Sequence, residues 1–161
     1  MVVPQISSIL YATDLSENAR NAFGYAALLA ERFSAKLIIV HAMEEFHPES
    51  QISNFIGEAK WRELKRSKQQ EIVEMITKRV NDFCLEASST MPDCEATPHK
   101  IVVRQGHPVD VILEEQEANS CDVVVLGSHG MGVLADAMMG STARRVVRRC
   151  KKPVLVVRAA E

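Results

Sequence analysis

The sequence predicts an α/β domain: one open parallel sheet with helices packed on both faces. Two observations carry this. Short apolar runs alternate with amphipathic helical segments in the order β-α-β-α-β-α-β-α-β, and alternation of this kind produces parallel strands joined by helical crossovers. The runs themselves, such as Leu37-Ile38-Ile39-Val40, are continuously apolar, as in strands covered on both sides. A third observation locates the business end of such a sheet. Polar clusters follow two of the runs, Thr13-Asp14 after the first and Gly127 to Gly130 after the fourth. In doubly wound sheets ligands sit beyond the carboxyl ends of strands where the winding reverses, so these clusters face each other if the first and fourth strands are neighbours.

Each element has its own signal. Ser7 to Ala12 reads as the first strand, and Ser16 is placed to cap the following helix. In that helix Ala19, Ala22, Phe23, Ala26, Leu29, Ala30 and Phe33 fall at helical spacing and form one apolar stripe. Lys36 to His41 is the second strand. A loop with Pro48 precedes a helical pattern from Ile52, with Gly57 as a point of interruption. Ile72, Ile76, Val80, Phe83 and Ala87 then continue the helix to about Ser88. The third strand is expected around Ala96 to Arg104. Pro108 is preset for the first turn of the next helix, which turns Val109, Ile112 and Leu113 inward. Asp122 to Leu126, Ser141 to Cys150 and Val154 to Val157 complete the series as strand, helix and strand.

The 161 residues suffice for one domain, 1–161, with a variable stretch at 43–70. A net charge of -2 gives no global field for nucleic acid. No apolar run approaches a membrane span, and Met1-Val2-Val3-Pro4 has neither the basic start nor the apolar middle of a secretory leader. The four cysteines, Cys84, Cys94, Cys121 and Cys150, form no C-x-x-C pair, which points to reduced thiols in a cytoplasmic protein rather than a zinc or redox site.

The segment from Gly127 to Thr142 points most clearly to a ligand. Gly127-Ser128-His129-Gly130 is followed after nine residues by Gly140-Ser141-Thr142. Glycine lets backbone N–H groups approach a phosphate closely, and a helix N-terminus adds free donors and a positive dipole end. The opposing reading is purely structural: a tight turn at Gly127 and close helix packing at Gly140. The preceding strand, the following hydroxyls and the carboxylate of Asp14 favour the ligand. The pattern is neither G-x-x-x-x-G-K-[ST] nor G-x-G-x-x-G. No lysine follows the last glycine, whereas phosphoryl transfer uses cationic and metal clamps. The loop suits holding a nucleotide better than turning it over.

These residues resemble the nucleotide-binding branch of the universal stress protein family. The resemblance rests on G-x2-G-x9-G-[ST] as Gly127, Gly130, Gly140 and Ser141, on Ala12-Thr13-Asp14-Leu15-Ser16, on Val40-His41-Ala42 and on Lys152 to Val157. It implies a five-stranded parallel sheet of order 3-2-1-4-5, a homodimer, and ATP between the first and fourth strands with Mg²⁺ carried on the phosphates. Carried over, Asp14 meets the ribose side and the backbone near Ala42 meets adenine. Gly127, Gly130, Gly140, Ser141 and Thr142 line the phosphates, and Thr13, Ser128 and His129 are counted with them among the nucleotide-binding residues. Many relatives have a basic or polar residue after the second glycine, where this chain has Met131.

Other residues remain open to more than one reading. Asp14 can be a metal ligand, a general base, a ribose contact or a loop carboxylate bonding nearby N–H groups. His129 either touches phosphate or faces solvent. His41 reads as structural, and neither histidine has a serine and carboxylate partnership for a hydrolytic triad. Arg144, Arg145, Arg148, Arg149, Lys151 and Lys152 cluster where cations complement a helix C-terminus, and Arg144 is near enough to the helix start to reach a phosphate. Trp61, in the charged stretch Glu58 to Lys68, reads as part of a solvated helix face or as a contact for an unknown protein partner. The Val154 to Val157 strand, at a sheet edge in the 3-2-1-4-5 order, offers unpaired backbone for a twofold dimer.

Overall fold

The computed structural model describes residues 3–43, 57–89, 97–130 and 139–158. The strands are β1 (Ser8–Ala12), β2 (Lys36–Met43), β3 (Lys100–Gln105), β4 (Val123–Gly127) and β5 (Val154–Val157). The helices between them are α1 (Glu17–Phe33), α2 (Glu58–Ser89), α3 (Pro108–Ala118) and α4 (Ser141–Arg149). All strand pairs are parallel and the order is β3-β2-β1-β4-β5. This is the expected 3-2-1-4-5 sheet, with β1 and β4 side by side at the reversal of winding.

Side chains alternate across each strand, and both faces are covered. Ile9, Tyr11, Leu37, Ile39, Val123 and Val125 form one core with Phe23 and Ala26 of α1 and Val80 and Phe83 of α2. Leu10, Ile38, Val40, Val124 and Leu126 form the other with Val109 and Ile112 of α3 and Ala143 and Val146 of α4. Tyr11, Phe23 and Phe83 meet edge to face, with ring centroids 5.5 Å and 6.2 Å apart. Arg20 fastens α1 to α2 from outside, pairing with Glu86 at 2.8 Å and lying over the Phe83 ring.

Several boundaries differ from the sequence reading. β3 begins at Lys100, with Thr97 to His99 ahead of it outside the strand; Pro98 has no N–H for a ladder. Ala96, the 43–56 loop apart from Met43, and the start of the helical pattern at Ile52 lie outside the described residues. Gly57, the expected point of interruption, has φ 82° and stands immediately before α2. Phe33 is half exposed because it ends α1, next to Ser34 in the left-handed region. Ile72 is exposed as well; among the described side chains of α2, Ile76, Val80, Phe83 and Cys84 join the core.

Candidate functional site

The carboxyl ends of β1, β2 and β4 converge on one rim, and a chain of hydrogen bonds ties them together. Thr13 N–H donates to the Val40 carbonyl at 3.0 Å. The Thr13 carbonyl accepts from His41 Nδ1 at 2.8 Å. Its Oγ1 accepts from the Leu15 N–H at 3.0 Å, which supports the positive φ of 64° at Leu15. Thr13 is buried, and these three bonds tie it into the rim. His41 is structural, as its position suggested. Ala42, half-buried, lies two residues past the Ala12–Val40 pair on the same rim.

Asp14 follows directly. Its Oδ1 accepts from the Ser16 N–H at 3.0 Å, and Ser16 Oγ accepts from the Ala19 N–H at 3.2 Å as the N-cap of α1. Tyr11 donates its hydroxyl to the Ala19 carbonyl at 2.5 Å from beneath, and burial holds its phenol well above the ordinary range, so the proton stays on.

Opposite Asp14, the chain leaves β4 through the glycine loop. Asp14 Oδ2 lies 2.7 Å from where a Cβ would sit on Gly130, closer than real Cβ contacts allow. Gly130 is exposed at the lip. Ser128 is buried; its N–H donates to the Val157 carbonyl at 2.7 Å, and its carbonyl accepts from the Gly140 N–H at 2.8 Å. Its Oγ shares a 2.8 Å hydrogen bond with His129 Nδ1. A Cβ on Gly140 would stand 3.1 Å from the Ser128 carbonyl. Gly140 is the N-cap of α4 and supplies no side-chain cap, leaving the first-turn N–H groups of Ser141 and Thr142 without that partner. Ser141 is exposed and Thr142 half-buried.

The expected site residues thus lie on one rim: Thr13, Asp14 and Ala42 from β1 and β2, and Gly127 to Gly130 with Gly140 to Thr142 from β4 and α4. Met131 lies outside the described residues, and so does the side chain of Trp61. Part of the basic cluster is spent locally, Arg149 on Asp110 at 2.9 Å and Lys152 on Asp122 at 3.4 Å. Among the described residues no group of His, Cys, Asp and Glu could hold a metal ion.

Sequence reasoning missed Asn18. Its Nδ2 donates to the His129 carbonyl at 2.8 Å, joining α1 to the loop. The available signal was its spacing, four residues before Ala22 of the apolar stripe.

Comparison with known proteins supplies the deciding observation: the model of the universal stress protein family matches residues 6–158. The chain belongs to the universal stress protein family. A Thermus aquaticus universal stress protein, named for the QAH/OAS sulfhydrylase 3′ region, is 30% identical over 151 residues, covering 94% of this chain and 98% of its own. The universal stress protein MJ0577 of Methanocaldococcus jannaschii is 26% identical over 152 residues, 93% of each chain. The MJ0577 structure superposes with a TM-score of 0.73 at 22% identity, covering 98% of this chain and 99% of that one. A universal stress protein solved in complex with cAMP gives a TM-score of 0.65 at 23% identity, covering 98% and 100%. One from Archaeoglobus fulgidus in complex with dAMP gives 0.55 at 19%, covering 94% and 97%. These likenesses show the universal stress protein fold, and two of those relatives hold an adenine nucleotide.

Proposed function

We propose that this universal stress protein binds ATP across the β1–β4 rim and works as a homodimeric, nucleotide-dependent stress-response or signalling module with at most slow hydrolysis. The observation that carries the reading is the Asp14–Gly130 approach. A carboxylate and a glycine meet at the switch point of the sheet, so close that a Cβ on Gly130 would force the Asp14 carboxylate or the loop to move. Asp14, with Oδ1 turned to Ser16, suits a ribose hydroxyl. The backbone at Ala42 suits the adenine edge. The N–H groups of the glycine loop and of Ser141 and Thr142 suit the phosphates. The relatives holding cAMP and dAMP support an adenine nucleotide as the class of ligand.

Mg²⁺ fits this rim as an ion carried in on the phosphates, because the donors here are N–H and hydroxyl groups rather than a carboxylate cluster. When bound it would offset phosphate charge. No lysine follows Gly140 to stabilise a transferring phosphoryl group, which supports binding over turnover. Dimerisation is assigned to the free edge of β5, Val154 to Val157. A further protein partner would read the nucleotide state. The net charge of -2 argues against nucleic acid. Among the described residues no helix is long and apolar enough to cross a membrane, and a cytoplasmic site of action is proposed with the rest.

Titration calorimetry with MgATP, alongside analysis of nucleotide that co-purifies, tests the reading. Absence of binding at millimolar ATP by a folded dimer would defeat it. A steady-state turnover lost in Ser141→Ala would replace it with a nucleotide hydrolase or nucleotidyl transferase using the same rim. A folded dimer indifferent to nucleotide would leave a dimerisation module with a structural loop.

A further inference from the structure

Asn18 stands in the first turn of α1 and reaches across to the glycine loop. Its Nδ2 donates to the His129 carbonyl at 2.8 Å. A Cβ on Gly127 would lie 2.8 Å from that same nitrogen and 3.3 Å from Cγ. The glycine at 127 therefore clears the path of the Asn18 amide. The other end of the amide is unrewarded: Oδ1 is buried, with no hydrogen-bond partner among the described residues. Turning the amide over would set oxygen against the His129 carbonyl, two acceptors face to face, so the donor end is the one that must point at the loop. An orphaned buried acceptor is costly, and a residue kept for packing alone would not carry one.

We infer that Asn18 is a positioning residue that presets the Gly130 N–H as a phosphate donor, an inference resting on the nucleotide-binding reading for its consequence. The mechanism follows from peptide geometry. In a trans peptide the C=O and the next N–H point in opposite directions. Holding the His129 carbonyl against α1 turns the Gly130 N–H outward, at the exposed lip beside Asp14. The bond thus joins α1, which Asp14 and Ser16 start, to the loop that leaves β4. Both halves of the rim are held in one geometry before a ligand arrives, and such preorganisation removes ordering cost from binding.

The test compares Asn18→Ala and Asn18→Asp with the wild type by MgATP titration, thermal melting and amide hydrogen exchange. Asn18→Ala removes the clamp and the orphaned acceptor together. ATP affinity is expected to fall about fivefold, the worth of one net hydrogen bond. Exchange at the Gly140 N–H is expected to accelerate, and melting should barely move. Asn18→Asp sets a carboxylate against the His129 carbonyl and weakens binding more at neutral pH. As pH falls and the new carboxyl gains a proton, its O–H can donate, and affinity recovers relative to the wild type at the same pH. Unchanged affinity and unchanged Gly140 exchange in Asn18→Ala would overturn the inference. So would a loss in Asn18→Asp that acid leaves uncorrected, which also decides the matter if the alanine variant does not fold. Failure of the wild type to bind ATP sinks the nucleotide reading instead, and Gly140 exchange still judges the clamp.

Discussion

Gly130 and Asp14 define the tightest spot on the rim, and the contact predicts its own disruption. Gly130→Ala puts a methyl 2.7 Å from Asp14 Oδ2, so either the carboxylate or the loop must move. The expected outcome is at least about a tenfold loss of ATP affinity with unchanged circular dichroism; titration calorimetry reads it. Gly140 sits 3.1 Å, on the same measure, from a backbone carbonyl rather than a movable side chain, so a bulky substitution there should cost stability as well as binding. These glycines and Asp14 were legible in the sequence because loop chemistry is local: residue type and spacing announce it. The role of Asn18 was not, since it acts through one hydrogen bond to an element distant in the chain.

Among the elements, β1 and β4 are pinned where they begin as well as where they end. Asp122 Oδ2 accepts from the Ser7 and Ser8 N–H groups at 2.9 Å and 3.3 Å, and Oδ1 faces Lys152. The Ser7 N–H above all, then Lys152, holds the Asp122 carboxyl below its ordinary range. The unfolded chain then takes up this proton more readily than the folded one. The stabilisation is present above the usual carboxylate range and disappears as pH drops below about 4. Asp122→Asn should lower neutral-pH stability by about 0.5 kcal/mol after solvent screening and flatten that part of the acid limb in urea melts. At the opposite edge, the Pro153 and Val157 carbonyls accept from the Val124 and Ser128 N–H groups. In a parallel ladder the alternate residues, Val154 and Val156, then turn their N–H and C=O groups outward. Val156→Pro deletes one outward donor and spares the β4 ladder, so sedimentation should show dimer giving way to monomer with the fold intact. Strand and helix identities came through the periodicity. Their ends did not where one residue decided them, as Pro98 does for β3, or where an apolar residue ran past the core, as Phe33 and Ile72 do.

For the whole molecule, a ligand that binds only the folded state adds stability by mass action. ATP at about one hundred times its dissociation constant should raise the melting temperature by roughly 5–10 °C, read by scanning calorimetry; the Gly130→Ala protein should lose most of that rise. Thiol reactivity reports the same opening equilibrium. Burial pushes the Cys84 thiol up to about 12 and raises Cys121 too, so both should resist a neutral disulfide reagent until the domain opens, while half-buried Cys150 reacts before either of them. The sheet order was readable from the family pattern, but the joining of its edge to its centre was not. Ser128 makes that join: one peptide neighbourhood donates to the last residue of β5 and accepts from the residue that starts α4. On the proposed function, assembly through β5 and nucleotide occupancy then draw on a shared free energy. Whatever factor a partner subunit adds to nucleotide affinity, the nucleotide must return to subunit affinity, making the protomer concentration itself an input to the response.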